Sequence, residues 1–141
     1  MKTRFALSFL AMMLFTSVSD ADGVPIEPGL WEMTSTMTMS MMPQPQTTTE
    51  TECIEESEMD PEEFNMNEEN PCSITDVSVD RGTARWSISC PTGNGMAMQG
   101  QWEIISKGDS ITGNGSMTAE MMGQEMGFNM TWKGRRIGDC P

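Results

Sequence analysis

The chain has 141 residues, a formal net charge of -13 at pH 7, and neither histidine nor tyrosine. The missing histidine removes the commonest general base and metal ligand, so most familiar enzyme chemistry is disfavoured. The negative charge disfavours binding to nucleic acid phosphates or anionic lipid.

The N-terminus has the pattern of a secretory signal peptide. Lys2 and Arg4 precede an apolar run at residues 5–15, and small residues suit cleavage after Ala21. This run is shorter than the roughly 20 apolar residues that cross a bilayer. We therefore expect a signal peptide at 1–21, a single domain at 22–141, no membrane insertion after cleavage, and a periplasmic or secreted location.

Period-two alternation dominates the first part of the predicted domain. Residues 30–41 place a tryptophan and several methionines on one face and mostly polar residues on the other, which is typical of a half-buried strand. Met42-Pro-Gln-Pro45 is expected to break this strand. Residues 46–54 then predict the returning strand of a hairpin with a long loop.

Turn residues divide the C-terminal part into five further predicted strands. They cover residues 73–79, 83–90, 96–104, 110–120 and 126–132. Gly113-Asn-Gly115 inside one of them predicts a bulge or sharp bend. A total of about seven antiparallel strands predicts an all-β domain, either a sandwich or a curved, barrel-like sheet.

An acidic stretch at residues 50–69 contains ten carboxylates and no basic residue. Within it, residues 57–64 predict one short helix, with Pro61 near its start. The ligand order and the glycine of an EF-hand are missing, so we expect a solvated acidic loop rather than a calcium site.

The four cysteines are Cys53, Cys72, Cys90 and Cys140. An even number in an exported chain predicts two disulfides. Zinc is disfavoured because the spacing has no CxxC pair and the chain has no histidine. The sequence does not select among the three pairings. Since the first two cysteines bracket the acidic loop, we favour Cys53–Cys72 and Cys90–Cys140.

The apolar phase of the strands is expected to face the interior. It consists of Trp31, Met33, Trp86, Met98, Trp102, Met117, Phe128, Met130 and Trp132. These residues could fill a core or line an apolar pocket, and the sequence leaves that choice open.

Methionines at two-residue spacing also match the thioether pattern that binds Cu(I). The candidate ligands are Met37, Met39, Met41, Met42, Met96 and Met98. Neighbours on one strand face lie about 7 Å apart, so three of them cannot reach one ion without help from another strand. We therefore favour packing and expect no Cu(I) binding tighter than micromolar.

Lys133, Arg135 and Arg136 form a small cationic group near the C-terminus. In so acidic a chain, we expect them to pair with carboxylates rather than to bind an anionic ligand.

Five motifs carry a resemblance to a known family. They are Pro28-Gly-Leu-Trp-Glu32, a threonine-rich run ending in Glu52-Cys53, Cys72-x-Ile-Thr-Asp76, Trp86-x-x-x-Cys90 and Gly134-Arg-Arg-Ile-Gly-Asp-Cys140. Together they resemble the domain-of-unknown-function 3617 family of exported Gram-negative bacterial proteins. The resemblance implies a periplasmic, all-β protein and no established activity, so no catalytic residue is carried over.

These observations favour a non-enzymatic periplasmic binding or interaction module without a cofactor. Its partner is expected to be a small apolar ligand or another periplasmic protein. The alternative is a methionine-based protein that handles Cu(I) or Ag(I). A small hydrolase ranks third. Glycosidases need only two carboxylates and this chain has many, but none of them lies in an apolar sequence motif.

Overall fold

The computed structural model describes residues 23–64, 72–91 and 97–141, so the predicted signal peptide and Met96 lie outside the described residues. The described elements, in chain order, are β1 (Val24–Pro25), β2 (Gly29–Met39), β3 (Met42–Ile54), β4 (Glu58–Met59), a 3₁₀ helix η1 (Pro61–Phe64), β5 (Ser73–Asp80), β6 (Thr83–Pro91), β7 (Ala97–Ser106), β8 (Ser110–Met121) and β9 (Gln124–Gly138).

Seven of these strands form one antiparallel sheet in the order β3-β2-β9-β8-β7-β6-β5. The short strands β1 and β4 pair with each other in a separate two-stranded sheet. The all-β prediction is therefore confirmed. Of the two predicted architectures, the sandwich is replaced by a single large sheet, and the barrel is not closed because β3 and β5 are the edges among the described strands.

The first hairpin is tighter than the sequence indicated. Met39 pairs with Met42, so the turn consists of Ser40 and Met41, and β3 runs through the two prolines that were expected to form a loop. The register between β2 and β3 shifts at this point. Proline lacks a backbone donor and is tolerated on edge strands and at bulges, and β3 is an edge strand with an irregularity there.

The predicted helix at residues 57–64 was largely wrong. Glu58 and Met59 pair with β1, which places the first half of that segment in a strand. Only the second half turns, as the four-residue helix η1, where Asp60 Oδ1 accepts a hydrogen bond from the backbone N–H of Glu62 at 2.8 Å. Strand pairing with β1 therefore overrides the local helical signal.

The two glycines in the middle of β8 do not form the predicted bulge, because the register with β7 and β9 is continuous there. A Cβ at Gly113 would lie 2.8 Å from Cε2 of Trp132, and one at Gly115 would overlap the ring of Trp102. The glycines therefore make room for two indoles that lean across from the neighbouring strands.

The two disulfides join Cys53 to Cys140 and Cys72 to Cys90, with Cα–Cα distances of 5.4 and 4.1 Å. The predicted pairing was wrong. Cys72 directly precedes β5, and the pairing of Ser73 with Ser89 brings it opposite Cys90. Cys53 is left to meet the C-terminus, because β2 is flanked by β3 on one side and β9 on the other.

The opening and closing motifs meet where β2 begins. Trp31 is fully buried and donates its Nε1–H to the Glu27 carbonyl oxygen at 2.9 Å. Arg136 donates from Nε to the Pro28 carbonyl oxygen at 2.8 Å. Gly29 has a φ of 152° and packs so closely on Arg136 that a Cβ would overlap its guanidinium. Contacts between these motif residues thus join the start of β2 to the end of β9.

Candidate functional site: the inner face of the sheet

The register places all nine residues of the predicted apolar phase on one face of the large sheet, which we call the inner face. Trp31 and Trp86 are buried, at 0% and 4% exposure. The other seven are only half-buried. The inner face is therefore a packed core in one part and a partly accessible surface in another.

The packed part, which we call the covered end, lies beneath β1, β4 and the residues next to them. Val24 is 1% exposed and packs with Trp86 and Ile104, and Ile26 packs with Trp31. The covering segment is tied down by hydrogen bonds. Ser106 Oγ donates to the Pro25 carbonyl oxygen, and the Glu27 N–H donates to the Gly108 carbonyl oxygen at 2.8 Å.

The accessible part, which we call the open patch, consists of Met37, Met39, Met117, Phe128 and Met130. Met37 lies opposite Met130 across β2 and β9, and Phe128 pairs with both Met39 and Met117. Directly opposed side chains have Cβ atoms about 4.5–5.5 Å apart, so these five form one continuous surface. All five are half-buried.

A tryptophan pair stands between the covered end and the open patch. The rings of Trp102 and Trp132 meet edge to face, with centroids 5.1 Å apart and an interplanar angle of 67°. Both pack against the core cluster. Trp102 also lies in the same cross-strand row as Met130, with Gly115 between them. The indoles therefore form the wall of the open patch nearest the core.

The side of the open patch formed by β3 is polar. Gln46 pairs with Met37, and Thr48 and Glu50 follow on the same face. All three are exposed. An apolar surface with a polar, partly acidic rim can hold the apolar part of a ligand while leaving a neutral or cationic group in water.

The candidate thioether ligands are only partly brought together. Met37 and Met39 lie in the open patch, whereas Met41 and Met42 are exposed at the tip of the first hairpin, at 72% and 43%. Met98 lies on β7, separated from β2 by two strands of the sheet. Met96 lies outside the described residues.

The sequence reasoning missed Met130 as a possible partner of the first-strand methionines. Met130 stands directly opposite Met37 because β9 returns to pair with β2. The alternating pattern of residues 126–132 predicted which face of the sheet carries Met130. It did not predict which strand lies next to it, because strand order depends on contacts between distant parts of the chain.

Two of the three cations near the C-terminus, Arg135 and Arg136, form ion pairs. Arg135 Nη2 lies 2.8 Å from Glu32 Oε1, and Arg136 pairs with Asp139. Within the described residues, no group of three or more cysteine, aspartate or glutamate side chains is arranged to hold a metal ion. No helix in the part of the chain that the structure describes is long and apolar enough to cross a membrane.

Comparison with known proteins agrees with the resemblance in the sequence. No curated protein and no solved structure matches the chain. A family of proteins of unknown function, DUF3617, matches residues 26–140, a span that includes both disulfides and all seven strands of the large sheet. The chain therefore belongs to the DUF3617 family.

Proposed function

We propose that this protein is a non-enzymatic periplasmic binding module that holds an apolar or amphiphilic molecule on the open patch of its inner sheet face. The observation that carries the proposal is the half-burial of Met37, Met117, Phe128 and Met130. Their phase in the strands is that of core residues, yet they remain accessible to solvent. Accessible apolar surface of this kind is commonly a binding surface.

The composition of the open patch suits a ligand of variable shape. Four of its five residues are methionines, whose flexible, polarisable side chains adapt to irregular partners. Phe128 and the nearby Trp102–Trp132 pair add rigid aromatic surface. This combination favours an alkyl chain or a similar apolar group over a ligand held by directed hydrogen bonds.

Charge restricts the ligand further. The chain carries a net charge of -13, and the polar rim on β3 includes the exposed Glu50. An anionic head group would be repelled by both. We therefore propose a ligand that is neutral or cationic at its polar end.

The periplasmic location is part of the same proposal. It is supported by the signal pattern at residues 1–21 and by two disulfides that use all four cysteines. Disulfides persist in oxidising compartments and are rare in the cytosol.

Nile red, a neutral apolar dye, tests the site directly. Met130→Ser and Phe128→Ser should each weaken its binding by roughly fivefold or more, because losing about 1 kcal/mol of apolar contact changes Kd by that factor. The control is Met122→Ser, which makes the same chemical change at a fully exposed turn residue. Displacement of the dye by decanol should follow the same order, and equal affinity in all the variants would contradict the proposal.

A second candidate function is the binding of Cu(I) or Ag(I), and the pairing of Met37 with Met130 favours it. With Met39 two residues along β2, three thioethers from two strands lie close to one another. Such soft ligands prefer Cu(I). β9 thus supplies a thioether beside those of β2, which β2 alone could not provide.

Anaerobic competition against a Cu(I) chelator tests this second function. We expect binding no tighter than micromolar, because these side chains also pack against Phe128 and the adjacent strand. A stoichiometric site of nanomolar affinity that is lost in Met37→Leu and Met130→Leu would make metal handling the leading function. Leucine preserves the apolar surface, so Nile red binding should survive both substitutions.

A further inference from the structure

The opposite face of the sheet, which we call the outer face, carries a polar groove. Two adjoining clefts of about 500 and 390 Å³ share Asp76, Ser87, Gln101 and Ser116 in their walls. The combined groove runs along β6 from Ser89 to Arg85. At about 3.3 Å per residue, this is long enough for a short oligosaccharide.

Uncharged hydrogen-bonding side chains line most of this groove. One row across the sheet consists of Thr75, Ser87, Gln101 and Ser116, and a second consists of Ser89, Gln99 and Thr118. Hydroxyl and amide groups both donate and accept hydrogen bonds. Trp86, Ile88 and Trp102 also border the groove, but their side chains pack in the core, so the groove meets their backbone.

The charged pair at one end of the groove is already satisfied. Arg85 Nε lies 2.5 Å from Glu103 Oε2, and Asn114 Nδ2 donates to Glu103 Oε1 at 3.3 Å. Apart from Asp76, the described lining of this groove therefore carries only paired charge. It is suited to a neutral polar ligand rather than to an ion.

Asp76 stands apart from the rest of the lining. It has a φ of 55°, in the left-handed region, at the irregularity between β5 and β6. Aspartate tolerates this region better than most side chains do. Its carboxylate accepts a hydrogen bond from Thr75 Oγ1 at 3.2 Å and borders both clefts. The bulge therefore sets an acceptor carboxylate beside rows of hydroxyl and amide groups.

We propose that the outer groove is a binding site for a neutral oligosaccharide, with Asp76 accepting hydrogen bonds from its hydroxyl groups and Gln101 both donating and accepting them. This site lies on the face opposite the open patch and does not depend on the proposed apolar ligand. Because hydrogen bonds to sugar hydroxyls replace hydrogen bonds to water, the net contribution of each is small. We expect dissociation constants on the order of millimolar.

The test is a titration of the ¹⁵N-labelled, disulfide-bonded protein with cellotriose, maltotriose and triacetylchitotriose, followed by amide NMR. At least one sugar should produce saturable shifts in the side-chain amides of Gln99 and Gln101. Gln101→Ala should weaken the binding of that sugar by roughly fivefold, the effect of losing one or two hydrogen bonds. Thr34→Ala, on the same face but on β2, is the control and should leave the binding unchanged.

Asp76→Gly tests whether the carboxylate contributes to sugar binding without straining the left-handed backbone at this position. Glycine adopts positive φ without steric cost, so this variant should fold at least as well as the parent protein. It should nevertheless bind the sugar several-fold more weakly, because the acceptor carboxylate is lost. The proposal is overturned if none of the three sugars shifts the Gln99 and Gln101 amides up to its solubility limit, if Asp76→Gly and Gln101→Ala bind as the parent does, or if the shifts fall only on the backbone of edge strand β5.

Discussion

The covered end and the open patch share the same alternating apolar sequence pattern, but their side chains differ in burial. Trp31 and Met37 lie on the same face of the same strand, yet Trp31 is fully buried and Met37 is half-buried. The difference comes from residues 23–28 and strand β4, which lie over the first half of β2. Alternation thus determines which face is apolar, and the covering segment determines how much of that face becomes core.

The two parts of the inner face also differ in composition. Large aliphatic and aromatic residues dominate the covered end, where Val24, Ile26 and Ile111 are each 1–4% exposed. Methionines dominate the open patch. A packed interior rewards complementary shapes, whereas a binding surface benefits from side chains that adapt.

The largest predicted effect comes from opening the disulfide that joins the end of β3 to the C-terminus. Replacing Cys53 and Cys140 with serine opens a link with a sequence separation of 87, whereas Cys72 and Cys90 are separated by 18. Loop entropy predicts losses of roughly 4–5 kcal/mol for the first pair and roughly 3 kcal/mol for the second. Urea unfolding of the two double variants would measure both losses. A larger loss from the Cys72–Cys90 pair would contradict the expected increase of stabilisation with loop length.

The next effect is truncation of the buried tryptophan at the covered end. Trp31→Ala should cost about 3–5 kcal/mol, since it removes a fully buried indole and its hydrogen bond to Glu27. Trp132→Ala should cost less, because Trp132 is half-buried. Denaturant midpoints provide the comparison, and equal losses for the two tryptophans would remove the distinction between the covered end and the surface beyond it.

A smaller loss is expected where the tryptophan pair separates the two regions. Gly115→Ala places a methyl group against the Trp102 ring and should cost about 1–3 kcal/mol. Gly127→Ala is the matched control, because nothing lies within 4 Å of a Cβ at that position. The control should change stability by less than about 0.5 kcal/mol. Identical melting temperatures for both variants would show that Trp102 does not lie over Gly115.

The smallest effect is expected in the open patch. Met130→Ala should cost only about 1 kcal/mol of stability, since its side chain is half-buried, and Met122→Ala should cost nothing measurable, since its side chain is fully exposed. Thermal unfolding would check both values. A cost for Met130→Ala comparable to that for Trp31→Ala would mean that the patch is core.

The sequence predicted the strands well because each carries its own period-two pattern. It predicted the disulfides less well, although one pairing was accessible. A regular hairpin turning at Arg81-Gly82 would set Ser73 opposite Cys90, so the predicted hairpin already placed Cys72 within one residue of that partner. The register shift between Thr75 and Ser78 moves the pairing by one residue and brings Cys72 opposite Cys90. The prediction of Cys53–Cys72 rested instead on the position of these two cysteines at either side of the acidic loop.

Other features depended on long-range contacts. β1 pairs with β4, and that pairing converts part of the predicted helix into a strand. The roles of Gly113 and Gly115 became clear only once Trp102 and Trp132 were known to be their neighbours. The open patch could not be distinguished from core by pattern, because the chain segment that covers the other half of the face is distant in sequence.

The most direct test of the account is the solvent accessibility of the methionine methyl groups, measured by NMR with a soluble paramagnetic gadolinium chelate. In the free protein, the methyls of Met37 and Met130 should relax faster than that of Met33, which packs on the covered end. Adding decanol should protect Met37 and Met130 and leave the exposed Met122 unchanged. Methyls of Met37 and Met130 that are as protected as that of Met33 in the free protein, or that decanol does not protect, would contradict an open apolar binding patch.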